Sequence, residues 1–106
     1  MNDASKDVSI NKYKKHNVVG IVFRNNIFKR ITKTNYVMFG LEGDRLYFLE
    51  SNEYTGYKLS DLTYNKRRIQ VSASDFVKVA KAFFGDHDLK CDSQKNMYYI
   101  EKKEEY

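Results

Sequence analysis

The period of the hydrophobic pattern changes at Ser72, and that change constrains the chain more than any other feature. Arg68, Ile69, Gln70, Val71 and Ser72 alternate polar and apolar, which suits a half-buried strand. Phe76, Val77, Ala80, Phe83 and Phe84 then recur at a spacing that lines one face of a helix. The spacing predicts a helix over 73–84. Ser72 or Ser74 is placed to accept from its free N–H groups, Asp75 adds negative charge to its first turn, and Gly85 can take the left-handed conformation that ends it. Beyond Gly85, Asp86 to Cys91 and Met97 to Glu101 read as two strands joined by a polar loop from Asp92 to Asn96. The unit is strand, helix, hairpin.

Upstream, residues 1–15 are polar and without period, which reads as a mobile basic arm. His16 to Phe23 is β-branched and aromatic enough for a first strand, and Asn25-Asn26 suits a turn into a second strand over Ile27 to Ile31. Thr34 to Phe39 reads as a short helical turn capped by Thr34 and ended by Gly40. Leu41 to Arg45 reads as a polar turn into a strand over Leu46 to Glu50, followed by another over Tyr54 to Leu59. Ser60 to Lys66 reads as connector. The expected fold is α+β, with a curved antiparallel sheet or small β-barrel of about six to seven strands and one main helix over 73–84. The domain spans 16–102, with a charged tail at 103–106.

A chain of 106 residues supports one small core, burying roughly 65% of its extended-chain surface. Apolar residues make up 42% and charged residues 31%, so the middle of the chain is globular rather than disordered. No apolar run approaches the roughly 20 residues of a bilayer span, and Met1 to Asn11 lacks a signal-peptide core, so a cytoplasmic protein with no membrane partner is expected. The single cysteine, Cys91, excludes an internal disulfide and a thiolate-rich zinc site, and its place beside Leu89 suggests a half-buried structural role.

Charge is placed unevenly along the chain. Residues 1–34 hold eight Lys or Arg against Asp3 and Asp7, whereas the remainder holds eleven against twelve acids. Such asymmetry suits a polyanion partner, because neutralising phosphates releases counterions, and it equally suits a solubilising tail. Basic and aromatic residues are interleaved from Phe23 to Tyr36 and from Tyr64 to Gln70, supplying phosphate contacts together with rings on which bases stack. If the strands carrying them pair, Arg24 to Lys33 and Arg67 or Arg68 form one basic face.

Catalytic patterns are sparse. His16 and His87 are far apart and lack the neighbours of a metal or triad pattern, and the five glycines are too scattered for a phosphate loop. The paired carboxylates Asp86/Asp88 and Glu104/Glu105 fall in a turn, where His87 is expected to be exposed, and in the tail. A non-enzymatic chain without metal or cofactor is expected. The seven Phe are expected inside. The nine Tyr are the candidates for surface work, and Tyr54, Tyr57 and Tyr64 are the candidates for a protein interface because Tyr brings large area at low entropy cost.

Two stretches look alike. Ile31-Thr32, a short helix, Gly43-Asp44 and a strand are echoed by Val71-Ser72, a longer helix, Gly85-Asp86 and a strand. This order over residues 27–59 and 67–101 resembles the AbrB-type swapped-hairpin family of bacterial regulators. The resemblance implies a β-barrel, dimerisation by strand exchange, and DNA contact through basic residues near the first hairpin, by position Arg24, Lys29, Arg30 and Lys33. In composition the chain is also similar to accessory proteins of phages and other mobile elements in low-GC bacteria, including small inhibitors of host defence systems.

The function expected is a small nucleic-acid-binding regulator, with DNA favoured over RNA. Lys12, Lys14, Lys15, Arg24, Lys29, Arg30, Lys33, Arg67 and Arg68 are expected on phosphates. The alternative is a mobile-element protein that inhibits a host protein through a Tyr-rich surface. Either could be a homodimer.

Overall fold

The computed structural model describes residues 7–12, 17–63 and 65–102. Ten strands and two short helices follow one another as β1 (Val8–Lys12), β2 (Val19–Phe23), α1 (Phe28–Ile31), β3 (Tyr36–Glu42), β4 (Arg45–Glu50), β5 (Tyr57–Lys58), β6 (Ser60–Thr63), β7 (Lys66–Val71), α2 (Ser74–Ala80) with a 3-10 turn over Lys81–Phe83, β8 (Gly85–His87), β9 (Lys90–Asp92) and β10 (Met97–Glu101). They form two open five-stranded antiparallel sheets, ordered β6-β7-β2-β1-β8 and β5-β3-β4-β10-β9. This corrects the expected α+β fold of one curved sheet or barrel, since half of the structure is strand and neither sheet closes.

The two sheets share one core. In the first, Ile10, Ile21 and Ile69 stand side by side across β1, β2 and β7, all buried. In the second, Phe39, Phe48 and Tyr98 make a row across β3, β4 and β10, and Leu46 and Ile100 are buried in the next. Phe23 of the first sheet meets Phe48 of the second edge to face, ring centroids 5.3 Å apart. Phe39 joins more elements than any other ring: it lies 5.8 Å from Phe48, 5.4 Å from Tyr57 and, stacked, 4.8 Å from Phe76 of α2.

The expected mobile arm is corrected by β1. Val8 and Ile10 are buried, and the strand pairs with β2 over five positions and with β8 over three, so this short polar-looking stretch lies inside a sheet. Its five residues are too few to show a period of their own, and only the partners reveal it. The described fold therefore begins before residue 16. Lys14, Lys15, His16, Tyr64 and the tail at 103–106 lie outside the described residues.

Two local expectations are exchanged. Ile27 to Ile31, read as a strand, contains helix α1. Asn25 and Asn26 both take positive φ, 57° and 60°, which Asn tolerates better than most residues, and the chain then turns into helix with Ile27, Phe28 and Ile31 on one buried face. That spacing is helical; a strand would have split Ile27 from Phe28. Thr34 to Phe39, read as a helical turn, lies mainly in β3. Asn35 at φ 71° ends the turn, and Thr34 bonds across to the Ser51 carbonyl instead of capping a helix.

The turn expected over Leu41 to Arg45 narrows to Gly43-Asp44, with Gly43 at φ 60° as the first loop residue of a two-residue hairpin closed by Glu42 and Arg45. The expected connector contains β6, and the strand expected over Tyr54 to Leu59 shrinks to β5. The single strand read from Asp86 to Cys91 is two. β8 stays in the first sheet, the chain crosses at Asp88-Leu89, and β9 joins the second. His87 is therefore buried, a ring nitrogen within hydrogen-bonding distance of the Phe83 carbonyl, while Cys91 is exposed.

The organising helix is α2 and its 3-10 extension. Val77, Ala80 and Phe83 are buried, with Phe76 and Phe84 packed against them, as the stripe predicts. Ala73 stands at its N-cap without a side-chain bond, so neither serine caps it, and Gly85 takes φ 109° beyond its end. Gly43-Asp44 is a hairpin tip in one sheet and Gly85-Asp86 opens β8 in the other, so the two look-alike stretches occupy different places in the fold.

Candidate nucleic-acid interface

α1 lies at the end of the first sheet where β2 finishes and β7 begins. The register sets Phe23 opposite Arg67, so the loop leaving β2 and the strand entering from β6 emerge together. The Asn26 N–H donates to the Asn65 carbonyl at 3.1 Å, which ties the start of the α1 turn to the β6–β7 loop. Ile27, Phe28 and Ile31 face the core; Lys29, Arg30 and then Lys33 face outward and are exposed. Burial of one helix face compels the other to carry the charge.

Arg67 fixes this arrangement. It shares the core-facing side of β7 with Ile69 and Val71, but at the strand's end its guanidinium lies over the Phe28 ring, 4.5 Å from the centroid. It donates to the Asn35 side-chain oxygen at 2.8 Å and pairs with Asp61. Asn35 in turn donates to the Leu59 carbonyl at 3.1 Å. Phe28, Lys29, Thr32, Lys33, Asn35 and Arg67 surround a shallow cleft of about 360 Å³. Arg30 lies on the other flank of α1, beside Glu50 and Tyr98.

The described members of the expected basic set fall in four places. Lys29, Arg30, Lys33 and Arg67 gather around α1. Arg24 follows β2 but pairs with Asp86 at 3.6 Å, and Asp86 also accepts from the buried Ser9 hydroxyl, so Arg24 is committed to the sheet. Arg68 is half-buried on the outer face of the first sheet, opposite Val22. Lys12 stands at the far end of that sheet, since it pairs with Val19, whereas α1 follows Phe23. There Lys12 meets Lys78 and Lys81 of the α2 segment around a second cleft of about 210 Å³. Sheet register brings Lys12 to these two lysines, which lie far from it in sequence.

Among the described residues, the side chains of Lys29, Arg30 and Lys33 are held by no ion pair. The outer face of the second sheet is the opposite case. Asp92 accepts the Gln94 and Lys95 amides at 3.0 and 3.1 Å, the Tyr47 hydroxyl at 2.9 Å and the Arg45 guanidinium at 3.1 Å. These donors, the Lys95 amide foremost, hold its carboxyl below the usual carboxylate range. Arg45 also lies 4.2 Å over the Tyr99 ring and donates to Tyr47, whose hydrogen bond raises its pKa most. Lys95 pairs with Glu42 at 2.7 Å, which raises the Lys95 pKa, and Lys90 pairs with Glu101, which raises the Lys90 pKa and lowers that of Glu101. Every one of these cations already has its acid.

This network was invisible in the sequence, because Tyr47 and Tyr99 were expected among the surface tyrosines. They are only 3% and 8% exposed, tilted against each other at 5.3 Å under the charged groups. Of the tyrosines expected at a protein interface, Tyr57 packs on Phe39, while Tyr54 is 87% exposed in a turn after β4. Among the described residues no His, Cys, Asp and Glu side chains are grouped to hold a metal, and no helix is long and apolar enough to cross a membrane. Comparison of the chain with protein-family models, curated proteins and solved structures finds no match, and the site is read from its own geometry.

Proposed function

We propose that this chain is a nucleic-acid-binding module that grips phosphates along α1, with Lys29, Arg30 and Lys33 as the contacts and Arg67 as the group that holds α1 on the sheet. The observation that carries the reading is the contrast in pairing. Arg45, Lys90 and Lys95 have acidic partners within the fold, whereas Lys29, Arg30 and Lys33, on and just after α1, are exposed and have none among the described residues. A cation already paired offers a polyanion little, because binding must first break the internal pair. An unpaired, solvated cation exchanges diffuse counterions for a phosphate and gains their release.

The charge arrangement supports backbone contact rather than base reading. α1 is a single turn, too short to lie along a major groove as a recognition helix does, and its basic side chains radiate from the end of a sheet. Phosphate contacts of this kind position a protein without reading sequence. Titration of labelled random-sequence duplex and single strands by anisotropy, at roughly 50 and 200 mM salt, tests the reading directly. Binding that weakens steeply with salt supports it; absence of binding at the lower salt overturns it.

A further inference from the structure

We infer that Tyr54 is a stacking platform for an unpaired base, so that the nucleic acid gripped by α1 is single-stranded; this rests on the reading of α1 given above. Tyr54 is 87% exposed, far above Leu41, Met38 and Leu62, the other exposed large apolar side chains among the described residues. An exposed ring on a floppy loop would carry little meaning. This loop is built.

The Asn52 side-chain oxygen accepts the Tyr54 amide at 2.9 Å, the Thr55 amide at 3.1 Å and the Thr55 hydroxyl at 3.3 Å. The Ser51 and Thr55 hydroxyls meet at 2.8 Å, and the Gly56 amide donates to the Asn52 carbonyl at 2.9 Å. The backbone is folded so tightly that a Cβ on Gly56 would stand 2.6 Å from the Ser51 Cβ. Bonds on both sides of Tyr54 thus fix the backbone that carries a ring left in solvent. Holding a contact residue in place before binding removes part of the ordering cost of association.

The same loop is fastened to the segment that follows α1. Thr34 donates its hydroxyl to the Ser51 carbonyl, the Ser51 amide donates to the Tyr36 carbonyl at 3.0 Å, and the Lys33 amide donates to the Glu50 carboxylate. The loop that carries Tyr54 is therefore tied to the segment that carries Lys33 and follows α1. A cationic track beside an aromatic ring is the chemistry by which single strands are held: phosphates on the cations, a base face on the ring. The interior of a duplex cannot use the ring, because both faces of each base there are already stacked.

The test compares an oligothymidylate of about 16 nucleotides with a duplex of the same length, titrated with wild-type protein and with Tyr54→Ala, Tyr54→Phe and Tyr54→Trp. Tyr54→Ala is expected to lower affinity for the single strand by about 5- to 100-fold and to leave duplex affinity unchanged, while Tyr54→Phe keeps single-strand affinity. The chain has no Trp, so Tyr54→Trp adds a lone indole whose fluorescence is expected to be quenched by the single strand and not by the duplex. Single-strand affinity unchanged in Tyr54→Ala, with the salt-dependent binding of α1 intact, would overturn the stacking role alone and leave Tyr54 free for a protein partner. No binding of either probe by the wild type would overturn both the stacking role and the α1 reading.

Discussion

The Arg67 guanidinium lies over the ring of Phe28, 4.5 Å from its centroid, and this contact joins the start of β7 to α1, the helical turn that carries Lys29 and Arg30. One arginine thereby serves both packing and placement of α1. It closes the end of the core, and through Phe28 it packs against the turn that carries Lys29. Asn35 accepts one of its N–H groups and Asp61 pairs with it, so its orientation is fixed by three partners rather than one.

Replacing Arg67 should therefore act on both stability and binding. Arg67→Ala loses a stacking contact and a hydrogen bond to Asn35, together about 1–2 kcal/mol. Arg67→Lys keeps the charge but not the planar fork, and should lose most of the same stability. Chemical denaturation of the two variants checks this; equal stability of Arg67→Lys and wild type would show that charge alone matters there.

β1 should be as indispensable as its neighbours. Ile10→Ala opens the row Ile10–Ile21–Ile69 in the middle of a sheet and should cost about 2–5 kcal/mol, the range for large-to-small changes in a packed core. A surface arm would respond within roughly ±0.5 kcal/mol. Urea denaturation distinguishes these outcomes.

Acid should loosen the outer face of the second sheet. The Asp92 carboxyl has a folded pKa below its unfolded value of about 3.9, so the stabilisation it contributes is complete above that pH and is lost as pH falls through the folded value. Asp92→Asn keeps an acceptor for the loop amides but not the charge facing Arg45 and Tyr47. Its Tm should lie below that of wild type at neutral pH, and the gap should narrow as the pH falls below about 3.9. A gap that stays constant across the range would remove Asp92 from the pH dependence.

Gly56→Ala should disturb the loop that carries Tyr54 without touching the core. The added methyl meets Ser51 Cβ at 2.6 Å, Ser51 Oγ at 2.8 Å and the Asn52 carbonyl at 3.1 Å, so the backbone must shift. Faster amide exchange at Tyr54 and Thr55, with core amides unchanged, is the expected result. Unchanged exchange at those two amides would mean that the turn accommodates the methyl.

The sequence revealed what is periodic and long, and missed what is short. The stripe Phe76, Val77, Ala80 and Phe83 repeats at one spacing over two turns, so α2 was readable from it. α1 is a single turn, and its Ile27, Phe28 and Ile31 read as a strand because so few residues cannot display a period. β1 and β6 gain their place only from partners far along the chain: Val8 pairs with Phe23 and His87. The division into two sheets turns on Asp88-Leu89, where nothing in the residue types announces a crossing.

Of the candidate site, its charges were legible and their pairing was not. Lys29, Arg30, Lys33 and Arg67 were selected as basic residues among aromatics, and the structure gathers them at one end. Arg24 was selected on the same ground, yet Asp86, a residue of β8, claims it. Tyr54 was marked for exposure and Tyr47 equally so; only Asp92 and Arg45, placed over Tyr47 by strand register, separate the two.

The most direct measurement is the salt dependence of single-strand affinity for the wild type and for a variant with Lys29, Arg30 and Lys33 all changed to Ala. Each phosphate contact on a single strand contributes about 0.7 to the slope of log affinity against log salt, so removing three should flatten it by about 2. The substituted residues are exposed, and thermal stability should be nearly unchanged. A flatter slope with an intact fold is the predicted result. A slope equal to that of the wild type would place the phosphate contacts elsewhere and contradict the assignment of α1.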